Sequence, residues 1–151
     1  MDCKNGNNLW QDAIKLQMES LHGYNIFKDL GYHAPMPEGY KHIRVHLIFD
    51  VKSDGHHKVR LVADGHLTNV PLESVYSGVI SLQGIHLITF LAKLNGLNMW
   101  TSDVSSAYLQ AKTAEKIIIF AGPEFGNLEN HMLMIYKALY GLCPSGLRWH
   151  E

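Results

Sequence analysis

The chain has 151 residues, 46% of them hydrophobic and 18% charged, and a net charge of −1. That composition excludes a disordered polyelectrolyte and leaves room for one globular domain, or part of a larger one. A pI of about 6.8 also lacks the basic excess usual in a nucleic-acid binder. Cys3 and Cys143 stand near opposite ends without metal-type spacing, so no disulfide framework is expected and an intracellular, reducing compartment is the default. No apolar signal core or membrane-length run is visible.

Residues 9–21 place Leu9, Trp10, Ala13, Ile14, Met18 and Leu21 on one face at helical spacing, with Asn8 as N-cap and Gly23 as stop. Pro35, Pro37 and Gly39 mark 32–40 as loop. Ile43, Val45, Leu47, Phe49 and Val51 then alternate, which predicts a half-buried strand over 43–51. Asp54-Gly55 is a hairpin turn signal, and 58–63 returns as the second strand with Val59, Leu61 and Ala63 inward. Lys58 and Arg60, two apart, share its other face.

Residues 65–78 read as loop. Ser81 caps a helix carrying Leu82, Ile85, Ile88, Leu91, Ala92 and Leu94, which Asn95-Gly96 ends. The apolar run 97–104 predicts a buried strand that delivers Asp103 to its tip. Ser105 and Ser106 turn the chain so that Tyr108 lies back over the same place. Taken alone, such an Asp also suits a helix cap, and Tyr108 a packed core ring. Strands are expected over 116–121 and 132–136, and Pro144-Ser145-Gly146 turns into a last helix-like piece. The element order argues for an α+β fold with a largely antiparallel sheet. Between Lys41 and Arg60 five basic residues stand against two acids, with His42, His46, His56 and His57 interleaved. No spacing brings three or four of the histidines together as metal ligands, so they read as surface residues.

Six stretches in order carry a resemblance to the reverse transcriptase domain of copia-type retrotransposons. They are LWQDAIKLQMESL (9–21), HLIFDVKSDGHHKVRLVADG (46–65), the helix-like run 81–96, SDVSSAYL (102–109), GPEFG (122–126) and KALYGL (137–142). The resemblance implies part of a right-hand polymerase: fingers from about 1–78 and 113–151, and the first part of the palm from about 79–112. It implies RNA-directed DNA polymerisation with Mg²⁺, a template-primer and deoxynucleotides, and further palm, thumb and RNase H segments in a polyprotein. Asp103 matches the first metal-binding carboxylate, and the Val104 carbonyl the accessory ligand. Tyr108 matches the aromatic below the incoming sugar, while Lys58 and Arg60 would meet phosphates on the same side as Asp103, across a cleft.

The later acidic pair of that family has no counterpart. After Val104 the acids are Glu115, Glu124, Glu129 and Glu151, none adjacent. The chain alone is therefore expected to be inactive, and the alternative reading is a non-catalytic remnant of a mobile element, at most a weak nucleic-acid-binding module. Asp64 and Cys143 stand where the family pattern has lysines, and His46 also departs from it, removing positive charge near the template path.

Overall fold

The computed structural model describes residues 6–65, 80–142 and 145. Helix α1 (Leu9–Gly23) is followed by strands β1 (Phe27–Tyr32), β2 (Lys41–His42), β3 (Val45–Val51) and β4 (His57–Ala63). Then come helices α2 (Leu82–Leu94) and α3 (Ala107–Gln110), strand β5 (Ile117–Phe120), a 3₁₀ turn (Pro123–Leu128) and strand β6 (His131–Ile135). The fold is α+β, and every strand pairing is antiparallel except β2 with β5.

A four-stranded sheet runs β1-β6-β5-β2. Its middle is set by Ile117-Ile118-Ile119, an unbroken apolar run in which all three side chains are buried. Such a run suits a strand covered on both faces. The core joins this sheet to Leu21 of α1, Ile26, Ile43, Leu61 of β4, Leu109 of α3, and Leu139 and Leu142 near the C-terminal end. Each fully buried Leu or Ile contributes about 1.5–3 kcal/mol by leaving water.

The hairpin forms as its turn chemistry requires. β3 and β4 pair antiparallel from Val45 opposite Ala63 to Val51 opposite His57. In the turn the Gly55 N–H donates to the Lys52 carbonyl at 2.9 Å, with Gly55 at φ +84. The Asp54 carboxylate takes the His56 N–H at 3.1 Å. Val59, Leu61 and Ala63 point into the core as expected. The unbroken strand over 43–51 does not form. The chain pairs with β5 at Lys41–His42 and buries Ile43, then joins β4 from Val45 onward. Phe49 and Val51, expected inward, are half exposed at 50% and 52%. They lie at the turn end of a two-stranded ribbon, where Trp10 of α1 covers Phe49 only edge-on, at 5.2 Å.

β1 has no counterpart in the sequence reading. Its register against β6 slips between Asp29 and Gly31, and this bulge puts one extra residue into the strand. Period-two alternation is lost at that point. α1 extends through Gly23 to a cap at Tyr24, and Asn8 makes no side-chain cap bond.

The helix after Ser81 forms as read, with the Ser81 hydroxyl accepting the Gly84 N–H at 3.1 Å. Its packing differs. Only Ala92 is buried, and Leu82, Ile85, Ile88, Leu91 and Leu94 are all exposed. The strand predicted over 97–104 is absent: the segment is irregular, and Trp100 is 92% exposed. A strand exists only where a neighbour completes its hydrogen bonds, and no described segment pairs with this one. The expectations for residues 66–78, Cys143, Pro144 and the piece after Ser145 lie outside the described residues.

Candidate functional site

The DVSSAYL stretch is shaped at its second half. Ser106 adopts a left-handed backbone (φ 53, ψ 38), and the chain enters the short helix α3. The Leu109 N–H closes onto the Ser106 carbonyl at 2.9 Å. Leu109 is buried, which anchors the turn and leaves its neighbour Tyr108 at the surface, 40% exposed. Asp103 and Val104, just upstream, are both exposed.

Tyr108 meets Tyr140 edge to face, with ring centroids 6.3 Å apart. Tyr140 also closes the base of the hairpin: its carbonyl accepts the Ala63 N–H at 2.7 Å, and Val62 bridges it in parallel. The backbones at this junction touch so closely that glycine is needed twice. A Cβ on Gly141, at φ +90, would strike the Ala63 carbonyl oxygen, and one on Gly65 would strike the Gly141 carbonyl oxygen. Ser145 braces the same loop by donating to the Leu139 carbonyl at 2.8 Å. Three separated stretches, RLVA (60–63), AYL (107–109) and LYG (139–141), thus converge on Tyr140.

Lys58 and Arg60 lie on one hairpin face, opposite Asp50 and Ile48 respectively. The Arg60 guanidinium reaches the Asp50 carboxylate diagonally at 3.5 Å. No hydrogen bond or ion pair links either residue to Asp103 among the described residues. At the base of the hairpin the Asp64 carboxylate meets the His46 ring at 2.9 Å and the Arg44 guanidinium at 3.6 Å. The Asp64 N–H also donates to the Arg44 carbonyl at 2.9 Å. The sequence reading took Asp64 only as a loss of positive charge. Counting register back from a three-residue Ser53–Gly55 turn sets it opposite Arg44.

A divalent ion prefers about six oxygen ligands. Among the described residues no three His, Cys, Asp or Glu side chains group to hold a metal. Asp103 offers one carboxylate, so the described residues alone do not fit a two-metal centre. A cleft of about 640 Å³ lies elsewhere, between α1, β1 and the 3₁₀ turn. Met18, Leu21, Phe27 and Phe125 line it, and Asp103, Val104, Tyr108, Lys58 and Arg60 do not. No described helix is long and apolar enough to cross a membrane.

Residues 32–151 match the family model described as reverse transcriptase (RNA-dependent DNA polymerase). This chain belongs to the copia-type reverse transcriptase family. Two Gag-Pol polyproteins of Saccharomyces cerevisiae, from the transposons Ty1-BL and Ty1-DR4, are each 32% identical to it over 109 residues. The match covers 69% of this chain and 6% of each relative's length. No solved structure matches it. Within this reverse transcriptase domain the matched span holds all three stretches that meet at Tyr140, and Asp103 with them. α1, most of β1 and the turn between them precede the matched residues, yet this stretch supplies Leu21, Ile26 and Phe27 to the same core region.

Proposed function

We propose that the chain serves RNA-directed DNA polymerisation as part of a longer copia-type polyprotein, inside the cell. The reading rests on one observation above all: the family match spans the three motifs that the fold gathers at Tyr140. In this reading residues 1–78 and 113–151 are fingers, and 79–112 begin the palm of a right-hand polymerase. The substrates are an RNA or DNA template-primer and deoxynucleotides. Asp103 would contribute one carboxylate, and Val104 its carbonyl, toward Mg²⁺, which would need further oxygen ligands beyond the described residues. The ion would stabilise charge on the transferring phosphoryl group when bound. Tyr108 crowds the 2′ position of the incoming sugar. Lys58 and Arg60 counter phosphate charge, Arg60 by exchanging Asp50 for a phosphate with the same fork geometry.

The test is primer extension on an RNA template by a chain that contains these residues at the length of its relatives. Activity that Asp103→Asn abolishes supports the reading, because the amide keeps the shape and loses the charge. A second reading, a non-catalytic remnant, is favoured by the single carboxylate and the neutral pI. Extension-length protein that binds template without turnover would favour it.

A further inference from the structure

We infer that the outer edge of β3 is a self-association surface, on which a second copy of this chain lays its own β3 antiparallel to make one continuous sheet.

The hairpin's own hydrogen bonds fix which backbone groups face outward. The Asp64 N–H donates to the Arg44 carbonyl and the Lys52 N–H to the His56 carbonyl, both at 2.9 Å. Even-numbered residues of β3 therefore bond to β4. In an antiparallel ladder the residues between them turn their N–H and C=O groups the other way. β4 shows the same alternation, since Ala63, an odd position, donates outward to Tyr140. Val45, Leu47, Phe49 and Val51 thus present their backbone groups along the outer edge. Among the described residues no segment pairs with that edge. α1 lies over β4 and reaches β3 through Trp10 at Phe49.

Strand edges are normally blunted against such pairing. β1, at one edge of the other sheet, has a bulge between Asp29 and Gly31, and β2, at the other, is only two residues long. β3 has neither device. It runs seven residues without a bulge or a proline, and Ile48, Phe49 and Val51 are 42%, 50% and 52% exposed.

The edge is complementary to itself. Pairing the whole strand with a copy about a twofold axis at Ile48 sets Val45 opposite Val51 and Leu47 opposite Phe49. These are the residues whose backbone groups are turned outward, so each pair exchanges two hydrogen bonds. On the other face Ile48 meets Ile48 of the second copy. His46 meets Asp50 of the second copy, a basic ring opposite a carboxylate rather than two like charges. Arg44 and Lys52 fall beyond the paired residues, and the Arg44 guanidinium is drawn to Asp64 at 3.6 Å. An unrelated extended peptide would find the backbone groups but not these matched side chains. Both copies use the same edge, so the contact closes at a dimer. An edge this short makes a small and weak interface.

The test is sedimentation equilibrium of the 151-residue chain from about 10 µM to about 1 mM, beside hydrogen exchange by ¹H–¹⁵N NMR. A monomer–dimer equilibrium is expected, with exchange at Val45, Leu47, Phe49 and Val51 slowing as concentration rises. I48E puts two carboxylates on the axis and I48K two ammonium groups, and each should weaken the dimer at least about tenfold. Ile48 lies opposite Arg60 in its own hairpin, so I48E gains a partner there; I48K keeps the test open if I48E does not fold. An equimolar mixture of the two variants should associate again, which neither lost apolar area nor misfolding produces. I88E/L94E alters α2 alone and should leave the dimer unchanged. A chain that stays monomeric at about 1 mM leaves the edge to some other segment and overturns the inference. So does a dimer that folded I48E or I48K does not weaken, or one that I88E/L94E abolishes. None of these outcomes bears on primer extension, since no template or metal is present.

Discussion

Tyr108 and Tyr140 meet edge to face with their centroids 6.3 Å apart, although thirty-two positions separate them in the chain. The contact ties the turn after Asp103 to the loop that closes the hairpin. It gives the exposed Tyr108 a fixed tilt without burying it. Aromatic pairs of this geometry contribute about 0.5–1.5 kcal/mol beyond burial. A double-mutant cycle of Tyr108→Ala and Tyr140→Ala in urea unfolding should return a coupling of about 1 kcal/mol. A coupling near zero would mean that the rings do not support one another.

Gly141 should be irreplaceable by alanine. Its φ of +90 is unfavourable for any residue with a Cβ, and that Cβ would meet the Ala63 carbonyl oxygen. Strain and collision together predict a loss of about 2 kcal/mol or more for Gly141→Ala. The urea midpoint measures it. Gly55→Ala, with open space around its Cβ and a φ of +84, should cost less.

Acid should loosen the β1–β6 edge. The Asp29 carboxyl is held below its ordinary value first by the Gly31 N–H and then by the His131 ring, which lies 3.0 Å away. A carboxyl lowered in the fold binds protons more readily when unfolded, so it stabilises the fold at higher pH. That contribution is complete above about pH 4 and fades as pH falls through the lowered folded value. Asp29→Asn should therefore flatten the acid limb of stability against pH, followed by thermal unfolding between pH 2 and 6. An identical acid limb in the variant would remove Asp29 as its source.

The 151-residue chain should give no primer extension on an RNA template with Mg²⁺. A two-metal centre needs several carboxylates, and among the described residues no three His, Cys, Asp or Glu side chains group to hold a metal. Extension by this chain, lost on Asp103→Asn, would show that its active site is complete.

The apolar surface of α2 and the segment after it should bind hydrophobic dyes. Leu82, Ile88, Phe90, Leu94 and Leu97 are each at least half exposed, and Trp100 almost wholly so. Contiguous apolar surface of this kind binds dye and promotes association. Ile88→Glu with Leu94→Glu should lower dye fluorescence severalfold while leaving the hairpin intact by NMR. Unchanged fluorescence would mean that the dye sits elsewhere, the apolar cleft beside Phe125 being the alternative.

The sequence by itself determined the elements whose signals are local. The helix of 9–21 follows from 3.6-residue spacing, the hairpin from Asp54-Gly55 between alternating runs, and the Ser81 cap from a side chain bonding three residues ahead. The family was legible for a similar reason, because DVSSAYL and KALYGL keep their order along the chain. Tertiary structure decided what depends on partners. Residues 97–104 have the composition of a buried strand and remain irregular, since backbone groups pair only with a neighbour that is present. β1 was hidden by its bulge at Asp29–Gly31, which breaks the alternation that a reader counts. Phe49 alternates like a core residue and is half exposed, because burial is fixed by what packs over a position rather than by its parity. The meeting of RLVA, AYL and LYG at Tyr140 arises from contacts between distant segments, and no local pattern encodes it.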